Sequence, residues 1–423
     1  MAHDILAELT ERQLIAQTTD LDALRTSLMS GSVTLYCGFD PTAPSLHLGN
    51  LAQIVTMRRF QLAGHRPLAV VGGATGLIGD PKMSGERNLN SSDIVEGWVK
   101  RIGEQIEKYF DFDGPNACLL VNNYDWTKDI SAIEFLRDIG KHFSVNRMLD
   151  REAVSARLES TGISYTEFSY VLLQSLDFLE LFRKYNCTLQ IGGTDQWGNI
   201  TAGCELVRRS DGGSVHALTT PLITKSDGTK FGKTESGTIW LDAEKTSPYS
   251  FFQFWLNADD RDVPTLLRTF SFKSMEEINE LIAQIESAPH LRAAQRALAQ
   301  ELTTLVHSAH AASAAELAGK ALFGQAELEE LDESTLRAAL AEAGLFQVER
   351  TAGDLNAIDL LVAAEVVNSK GAARRAIEEG GAYINNVKIT DVDAKIPYVS
   401  LLNGKFLVIR RGKKTMAGIE VSN

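Results

Sequence analysis

Cysteine is scarce in this chain. There are four in 423 residues (Cys37, Cys118, Cys187 and Cys204), none in a CxxC pair, and only eight histidines. That excludes a disulfide framework and the usual zinc spacings, so no protein-ligated metal is expected. No apolar run approaches the ~20 residues of a membrane helix. The longest candidate, residues 68–78, is broken by three glycines. The first residues, Met1-Ala2-His3-Asp4-Ile5-Leu6-Ala7-Glu8, lack the basic start and apolar block of a secretory signal. The expected location is the cytoplasm, with no membrane partner. Positive charge is also in deficit: 42 basic against 55 acidic side chains give −13. Taken whole, this argues against a nucleic-acid binder. The distribution argues otherwise. Residues 354–423 hold 10 Lys+Arg and 8 Asp+Glu, a net of +2, and the rest of the chain carries −15.

What is present reads as α/β in the first half. Short apolar runs at 33–39, 68–72, 119–122 and 188–191 predict buried strands. Helical patterns at 48–62, 94–110, 132–139 and 170–185 lie between them, which implies a parallel sheet with right-handed crossovers. Residues 248–347 turn helical, with Ala-, Leu-, Glu- and Arg-rich segments at 275–286, 291–307 and 314–322. A linker is expected at 348–353, then a small α+β unit over 354–423. Its helices are expected at 358–368 and 370–380, with a hairpin turning through Asn385-Asn386.

Two short segments suggest phosphate handling. His47-Leu48-Gly49-Asn50 follows a strand and a Pro-rich turn and opens a helix. Gly49 permits close backbone approach, a helix N-terminus favours anions, and His47 and Asn50 can donate to phosphate oxygens. The plainer reading is a helix cap made by Ser45. Lys230-Phe231-Gly232-Lys233-Thr234, within a loop of small residues, supplies mobile positive charge that could close over a polyphosphate. The plainer reading is a solvated basic loop. A P-loop is rejected, because Gly228 to Gly232 is one residue too short and no helical pattern follows. Gly72-Gly73-Ala74-Thr75-Gly76-Leu77-Ile78-Gly79-Asp80 has irregular glycine spacing for a dinucleotide fingerprint. It reads as close approach to a ligand, ending in a carboxylate aimed at a pocket.

The 166–179 segment is apolar on most sides, so its helix is expected to be buried. Tyr170, Gln174 and Asp177 nevertheless share one face at i, i+4 and i+7. A buried carboxylate needs a partner. That partner is either an internal donor or a ligand in a small-molecule pocket. Gly192-Gly193-Thr194-Asp195-Gln196-Trp197-Gly198-Asn199 follows a strand and offers a carboxylate and an amide at the ligand edge of the sheet. An ordinary capped turn is the plainer reading.

These stretches, with Tyr36-Cys37-Gly38-Phe39-Asp40-Pro41-Thr42, Gly79-Asp80-Pro81 and residues 225–241, resemble the bacterial-type tyrosyl-tRNA synthetases, which are class I aminoacyl-tRNA synthetases. The resemblance covers nearly the whole chain. It implies a Rossmann-type catalytic domain (1–247), an α-helical anticodon-binding domain (248–347) and a C-terminal RNA-binding domain of the alpha-L type (354–423). It also implies a homodimer bridged by tRNA(Tyr). The implied reaction joins ATP and L-tyrosine into tyrosyl-adenylate and pyrophosphate, with Mg²⁺ accompanying ATP, and then transfers tyrosine to the tRNA 3′ end.

By the same resemblance, Tyr36 and Asp177 bind the phenol hydroxyl, Tyr170, Gln174 and Asp80 hold the ammonium, and Gln196 lies near the carboxylate. Gly38, Asp40, Gly49, Gly193 and Asp195 line the ATP site. Thr42, His47, Lys230 and Lys233 stabilise the reacting phosphorus and the departing pyrophosphate. Lys370, Arg374, Arg375, Lys388, Arg410, Arg411, Lys413 and Lys414 contact RNA backbone. Two departures stand out. The family's first motif usually ends in His where this chain has Asn50, and the loop holding Lys82 and Arg87 is one residue shorter. Chemically the reading is coherent, because a tyrosine carboxylate is already ionised at neutral pH and needs no general base. The competing classes are another nucleotidyl-transfer enzyme, such as a cofactor adenylyltransferase or the tryptophan-specific relative, and a non-catalytic RNA-binding protein on the same fold.

Overall fold

The fold is described from a computed structural model covering residues 3–82, 85, 89–229, 231–234, 237–350, 352–412 and 415–422, without the side chains of residues 153, 233 and 234. Lys230, Lys413, Lys414 and Arg87 therefore lie outside the described residues, as does the side chain of Lys233. Among the described residues no helix is long and apolar enough to cross a membrane.

The chain forms two compact units: 1–242 with 260–283, and 243–259 with 284–423. The first is built on a six-stranded sheet of β1 (Gln17–Thr18), β2 (Thr34–Phe39), β3 (Arg66–Val71), β4 (Leu119–Asn122), β5 (Cys187–Gly193) and β6 (His216–Thr220), in the order β1-β6-β5-β2-β3-β4. All neighbours are parallel except the short edge strand β1. The continuous apolar runs fit strands covered on both faces: β3 is buried along five of its six residues. The winding reverses between β2 and β5, which places a crevice at their C-terminal ends. β6 is absent from the sequence expectations. His216, Thr219 and Thr220 interrupt its apolar pattern, yet every residue of the strand is buried.

The helix Leu48–Leu62 coincides with its expected span, and the helix at 170–185 starts earlier, as Tyr165–Tyr185, because Ser164 caps it on Glu167 N–H. Residues 260–283 belong to the first unit for a local reason. Two buried arginines hold the carbonyls that end the helix Val263–Phe270. Arg59 donates to Thr269 O (2.9 Å) and Ser271 O (2.7 Å), and Arg12 donates to Ser271 O (3.1 Å) and Lys273 O (2.7 Å). Orphan carbonyls at a helix end need such donors.

In the second unit the helices Pro248–Leu256, Ala293–Val306, Ala309–Leu322 and Glu333–Ala343 precede a five-stranded sheet. Its strands run Val387–Lys388, Ala382–Ile384, Phe406–Arg411, Thr415–Ser422, Leu345–Glu349. Residues 348 and 349, expected in a linker, are strand: Leu345–Glu349 pairs in parallel with Thr415–Ser422. The first C-terminal helix spans Ala357–Ala363, shorter than expected, and Glu365 soon after it adopts a left-handed φ of 54°. The hairpin turns where expected, with Asn385 and Asn386 both at positive φ (46° and 63°), as a type I′ turn requires.

Candidate active site

A cavity of about 360 Å³ opens at the β2–β5 crevice. The sequence-predicted residues that line it are Tyr36, Gly38, Asp40, Thr42, His47, Gly49, Asn50, Asp80, Tyr170, Gln174, Asp177, Gly193, Asp195 and Gln196. They come from the ends of β2 and β5 and the segments after them, the start of helix Leu48–Leu62, the turn after Ile78 and the body of helix Tyr165–Tyr185, so the sheet's winding, and no local motif, assembles them.

At the deep end lies Tyr36, fully buried, with its ring edge against Phe178 at 5.2 Å between centroids. Its hydroxyl is buried without a partner among the described residues. Burial and the nearby Asp177 charge push its pKa well above the usual phenol value. Asp177 accepts from Trp126 Nε1 (2.9 Å) on one oxygen and from Asn123 Nδ2 (3.0 Å) on the other. Desolvation raises its carboxyl to about 7 despite those two donors. Both readings made for this carboxylate therefore apply: it has internal donors and it faces the cavity. Asn123 is itself fixed, giving Nδ2 to Thr75 Oγ1 (2.9 Å) and taking Ala74 N–H on Oδ1 (2.7 Å).

Midway, Tyr170 donates its hydroxyl proton to Asp40 Oδ2 at 2.6 Å, and Thr75 Oγ1 donates to Asp40 Oδ1 at 2.6 Å. With its proton committed, Tyr170 presents oxygen lone pairs to the cavity. Gln174 Oε1 is buried there with no partner among the described residues. Asp80 accepts from Gln196 Nε2 (3.0 Å) and Asn199 Nδ2 (3.3 Å). A cluster of acceptors and negative charge suits a cation.

The glycine-rich turn reaches the cavity at Gly72, as expected, and also has a second reason for its glycines. A Cβ on Gly72 would stand 2.0 Å from Asp40 Oδ1, and one on Gly73 would stand 2.3 Å from Asn122 Oδ1. These glycines make room for the protein's own side chains. Asp80, as expected, ends the turn at the cavity wall.

At the mouth, the cap of helix Leu48–Leu62 is His47 and not Ser45. Ser45 is buried and donates to Leu46 O (2.9 Å) and Gln105 Oε1 (3.3 Å). His47 Nδ1 accepts from Gly49 N–H (3.1 Å), and His47 N–H is held by Asn50 Oδ1 (3.0 Å), a reciprocal capping box. An accepting Nδ1 assigns the ring proton of the neutral imidazole to Nε2. Asn50 spends its oxygen on the cap, which leaves Nδ2 as its donor toward the cavity. The lysine loop meets this helix start. A Cβ on Gly232 (φ 80°) would lie 3.2 Å from Leu48 Cβ, and His47 bridges to Trp240. Lys233–Thr234 then pairs with Gly237–Thr238, which is strand and confirms that no P-loop helix follows.

Sequence reading missed Thr75, Asn123, Trp126, Asn199, Arg151 and the cavity-lining Gln53 and Gln190. Asn123 and Trp126 follow the end of β4, where the rule for strand ends could have flagged them. Gln190 is a polar residue in an apolar strand, which was a usable signal, and its buried Oε1 has no partner among the described residues. Asn199 ended the segment already placed at the ligand edge but was given no role, and Arg151 carried no signal.

Of the basic residues assigned to RNA, Lys388 and Arg410 stand directly opposite Tyr383 on neighbouring strands, and Arg410 packs over its ring at 5.0 Å. Arg374, Arg375 and Arg411 are exposed, and Lys370 pairs with Asp359 at 2.7 Å.

The family model for class I tRNA synthetases (W and Y) matches residues 29–324, and that for the tyrosine–tRNA ligase SYY-like C-terminal domain matches 338–418. The chain belongs to the class I tRNA synthetases. Among its relatives, the tyrosine–tRNA ligase of Streptomyces avermitilis is 62% identical over 99% of both chains, and that of Kineococcus radiotolerans is 58% identical over the same share. A C-terminally truncated mitochondrial tyrosyl-tRNA synthetase from Aspergillus nidulans superposes with a TM-score of 0.68 at 30% identity, covering 76% of this chain and 94% of the other. An Archaeoglobus fulgidus tyrosyl-tRNA synthetase complexed with L-tyrosine is 15% identical (TM-score 0.57; 73% of this chain and 99% of the other) and shares the fold. The cavity lies within the part of the chain that the class I model matches.

Proposed function

We propose that the cavity of this tyrosine–tRNA ligase holds L-tyrosine with its ring oxygen between Tyr36 and Asp177. One observation carries the reading: a buried phenol hydroxyl with no partner among the described residues shares the cavity wall with a buried carboxylate. A substrate hydroxyl that donates to Asp177 and accepts from Tyr36 satisfies both. Indole has no group that could do so at that depth, and a phenylalanine ring would leave both polar groups unmatched.

The substrate ammonium meets Asp80, the Tyr170 oxygen and Gln174 Oε1. Gln196 lies toward the carboxylate. That carboxylate attacks the α-phosphorus of ATP, the bond to the bridging oxygen breaks, and pyrophosphate leaves. His47 Nε2–H and Asn50 Nδ2 donate toward the phosphates, with Thr42 beside them, and Lys230 and Lys233 supply the neutralising charge. Gly38, Asp40, Gly49, Gly193 and Asp195 line the nucleotide side. Catalysis here is positioning and charge stabilisation. Mg²⁺ enters with the ATP phosphates.

Residues 1–247 thus form the catalytic domain, 248–347 the anticodon-binding domain and 354–423 the RNA-binding domain, where Tyr383 flanked by Lys388 and Arg410 suits stacking and phosphate contact. The enzyme works in the cytoplasm as a homodimer bridged by tRNA(Tyr). Exposed Ile133, Leu136, Val145, Leu158 and Tyr165 supply apolar surface for self-association. The test is amino-acid-dependent exchange of labelled pyrophosphate into ATP. Exchange with L-tyrosine is expected, and exchange with L-tryptophan in its place would overturn the assignment.

A further inference from the structure

Behind the ammonium end of the cavity runs a hydrogen-bond chain that has only one workable sense. Arg151 Nη1 donates to Asn199 Oδ1 at 2.8 Å. A guanidinium has donors and no acceptor, so Asn199 must turn its oxygen toward it. Its Nδ2 then points the other way, to Gln196 Oε1 (2.9 Å) and Asp80 Oδ1 (3.3 Å). With its own oxygen so engaged, Gln196 presents Nε2 to Asp80 Oδ2 at 3.0 Å. Reversing either amide would set an amide oxygen against a carboxylate oxygen.

Nothing in the two amides themselves selects this sense. The two ends do: Arg151 cannot accept, and the ionised Asp80 carboxylate cannot donate. The position of Arg151 is not explained by stability. The guanidinium is largely desolvated, which lowers its pKa, while the Asp80 charge holds it up. One of its nitrogens, Nη2, is buried with no partner among the described residues. A charge kept out of water and incompletely bonded is costly.

We propose that Arg151 is a positioning residue for tyrosine activation: through Asn199 it fixes the orientation of Gln196 and aims two N–H donors at Asp80, holding that carboxylate where the substrate ammonium arrives. Arg151 itself touches no substrate. This rests on the reading that Asp80 holds the ammonium group.

The test uses the full chain and three ligands. L-Tyrosine is followed by pyrophosphate exchange. Tyramine, which keeps the ammonium, and 4-methylphenol, which keeps only the phenol, are followed as competitive inhibitors. Losing a hydrogen bond to a charged group predicts that Arg151→Met raises KM for tyrosine and Ki for tyramine about tenfold. On the same grounds Ki for 4-methylphenol and KM for ATP stay within about twofold, and Arg151→Lys, a donor that cannot accept, recovers to within about threefold of wild type. Asn199→Asp has the same size but no donor for Asp80, and should reproduce the tyramine loss with Arg151 intact; it serves also if Arg151→Met fails to fold. The proposal is overturned if tyramine and 4-methylphenol weaken together, if Arg151→Lys is as poor as Arg151→Met, or if tyramine binding is unchanged in both variants. Asp80→Asn separates the two layers. If it leaves tyramine binding intact, the ammonium reading itself fails. If it weakens tyramine while Arg151→Met and Asn199→Asp do not, only the positioning role falls.

Discussion

The cavity at the β2–β5 crevice and the basic face of the C-terminal sheet both present polar groups to a ligand, by opposite physical means. At the deep end of the cavity and midway along it the carboxylates are held by neighbouring donors. Asp177 is gripped by Asn123 and Trp126, and Asp40 by Tyr170 and Thr75. The buried atoms left over among the described residues, Tyr36 Oη and the Oε1 atoms of Gln53, Gln174 and Gln190, mark where a ligand can bond. On the C-terminal sheet Lys388 and Arg411 are exposed, and Arg410 lies over Tyr383. Recognition by buried, interlocked atoms should fail steeply, respond to pH and ignore salt. Recognition by summed surface charge should fail gradually, respond to salt and ignore pH over the same range.

The largest expected effect falls on Asp177. Asp177→Ala removes the phenol's acceptor and strands the Trp126 and Asn123 donors. At roughly 1.5–3 kcal/mol for a charge-assisted bond plus the cost of stranded donors, kcat/KM for tyrosine in exchange should drop by about two to three orders of magnitude. A drop of less than about fivefold would mean the cavity tolerates loss like a surface does, and the contrast would break. Tyr36→Phe should cost less, about tenfold in KM for tyrosine, since it deletes one bond and strands nothing. It should also narrow the preference for tyrosine over phenylalanine, measured as the ratio of kcat/KM values. An unchanged ratio would show that Tyr36 does not read the hydroxyl.

The pH dependence separates the regions further. Burial raises the Asp177 carboxyl to about 7, so it protonates in the free enzyme near neutrality. Protonation removes the acceptor, so KM for tyrosine should climb by up to about tenfold per pH unit below 7 and level off above it. Stability runs the other way. The folded-state value lies above the unfolded one, so the fold favours the neutral carboxyl. This group's contribution is at its best below about pH 4 and is lost as pH rises from about 4 to about 7. The difference in Tm between wild type and Asp177→Asn should therefore change over that window, with wild type relatively more stable at the acid end. If the difference stays flat with pH, Asp177 titrates as an ordinary carboxyl and the buried-site argument loses its electrostatic part.

The sequence was readable where one signal sufficed. Helix Leu48–Leu62 and strand Leu119–Asn122 coincide with their expected bounds, because apolar periodicity and flanking turns agree there. The Asn385-Asn386 turn was readable because few residues tolerate its φ values. β6 was not, since its threonines and histidine are polar in composition and buried only by the strands beside them. Motif residues could be gathered into one cavity on paper, but their supporting partners could not. Trp126 and Asn123 serve an aspartate more than fifty residues later, and Arg151 acts on Asp80 through Asn199. Such long-range polar pairing leaves no periodicity. The Ser45 cap shows the limit from the other side: serine is the commoner cap residue, yet burial against Gln105 took Ser45 out of reach and left the role to His47.

The smallest expected effect lies on the C-terminal sheet. Arg410→Ala removes one cation and the ring contact with Tyr383, in a row where Lys388 remains on the other side of the same ring. If the face works by summed charge, tRNA affinity should fall modestly, and the slope of log K against log salt should shrink by about one. Tyrosine-dependent exchange should not change, because the cavity's residues all belong to the other compact unit. Measured by filter binding across a salt series, a loss that is large and independent of salt would place a specific contact at Arg410. The C-terminal face would then resemble the cavity, with recognition resting on one well-held group, and the distinction between the two regions would be one of depth only.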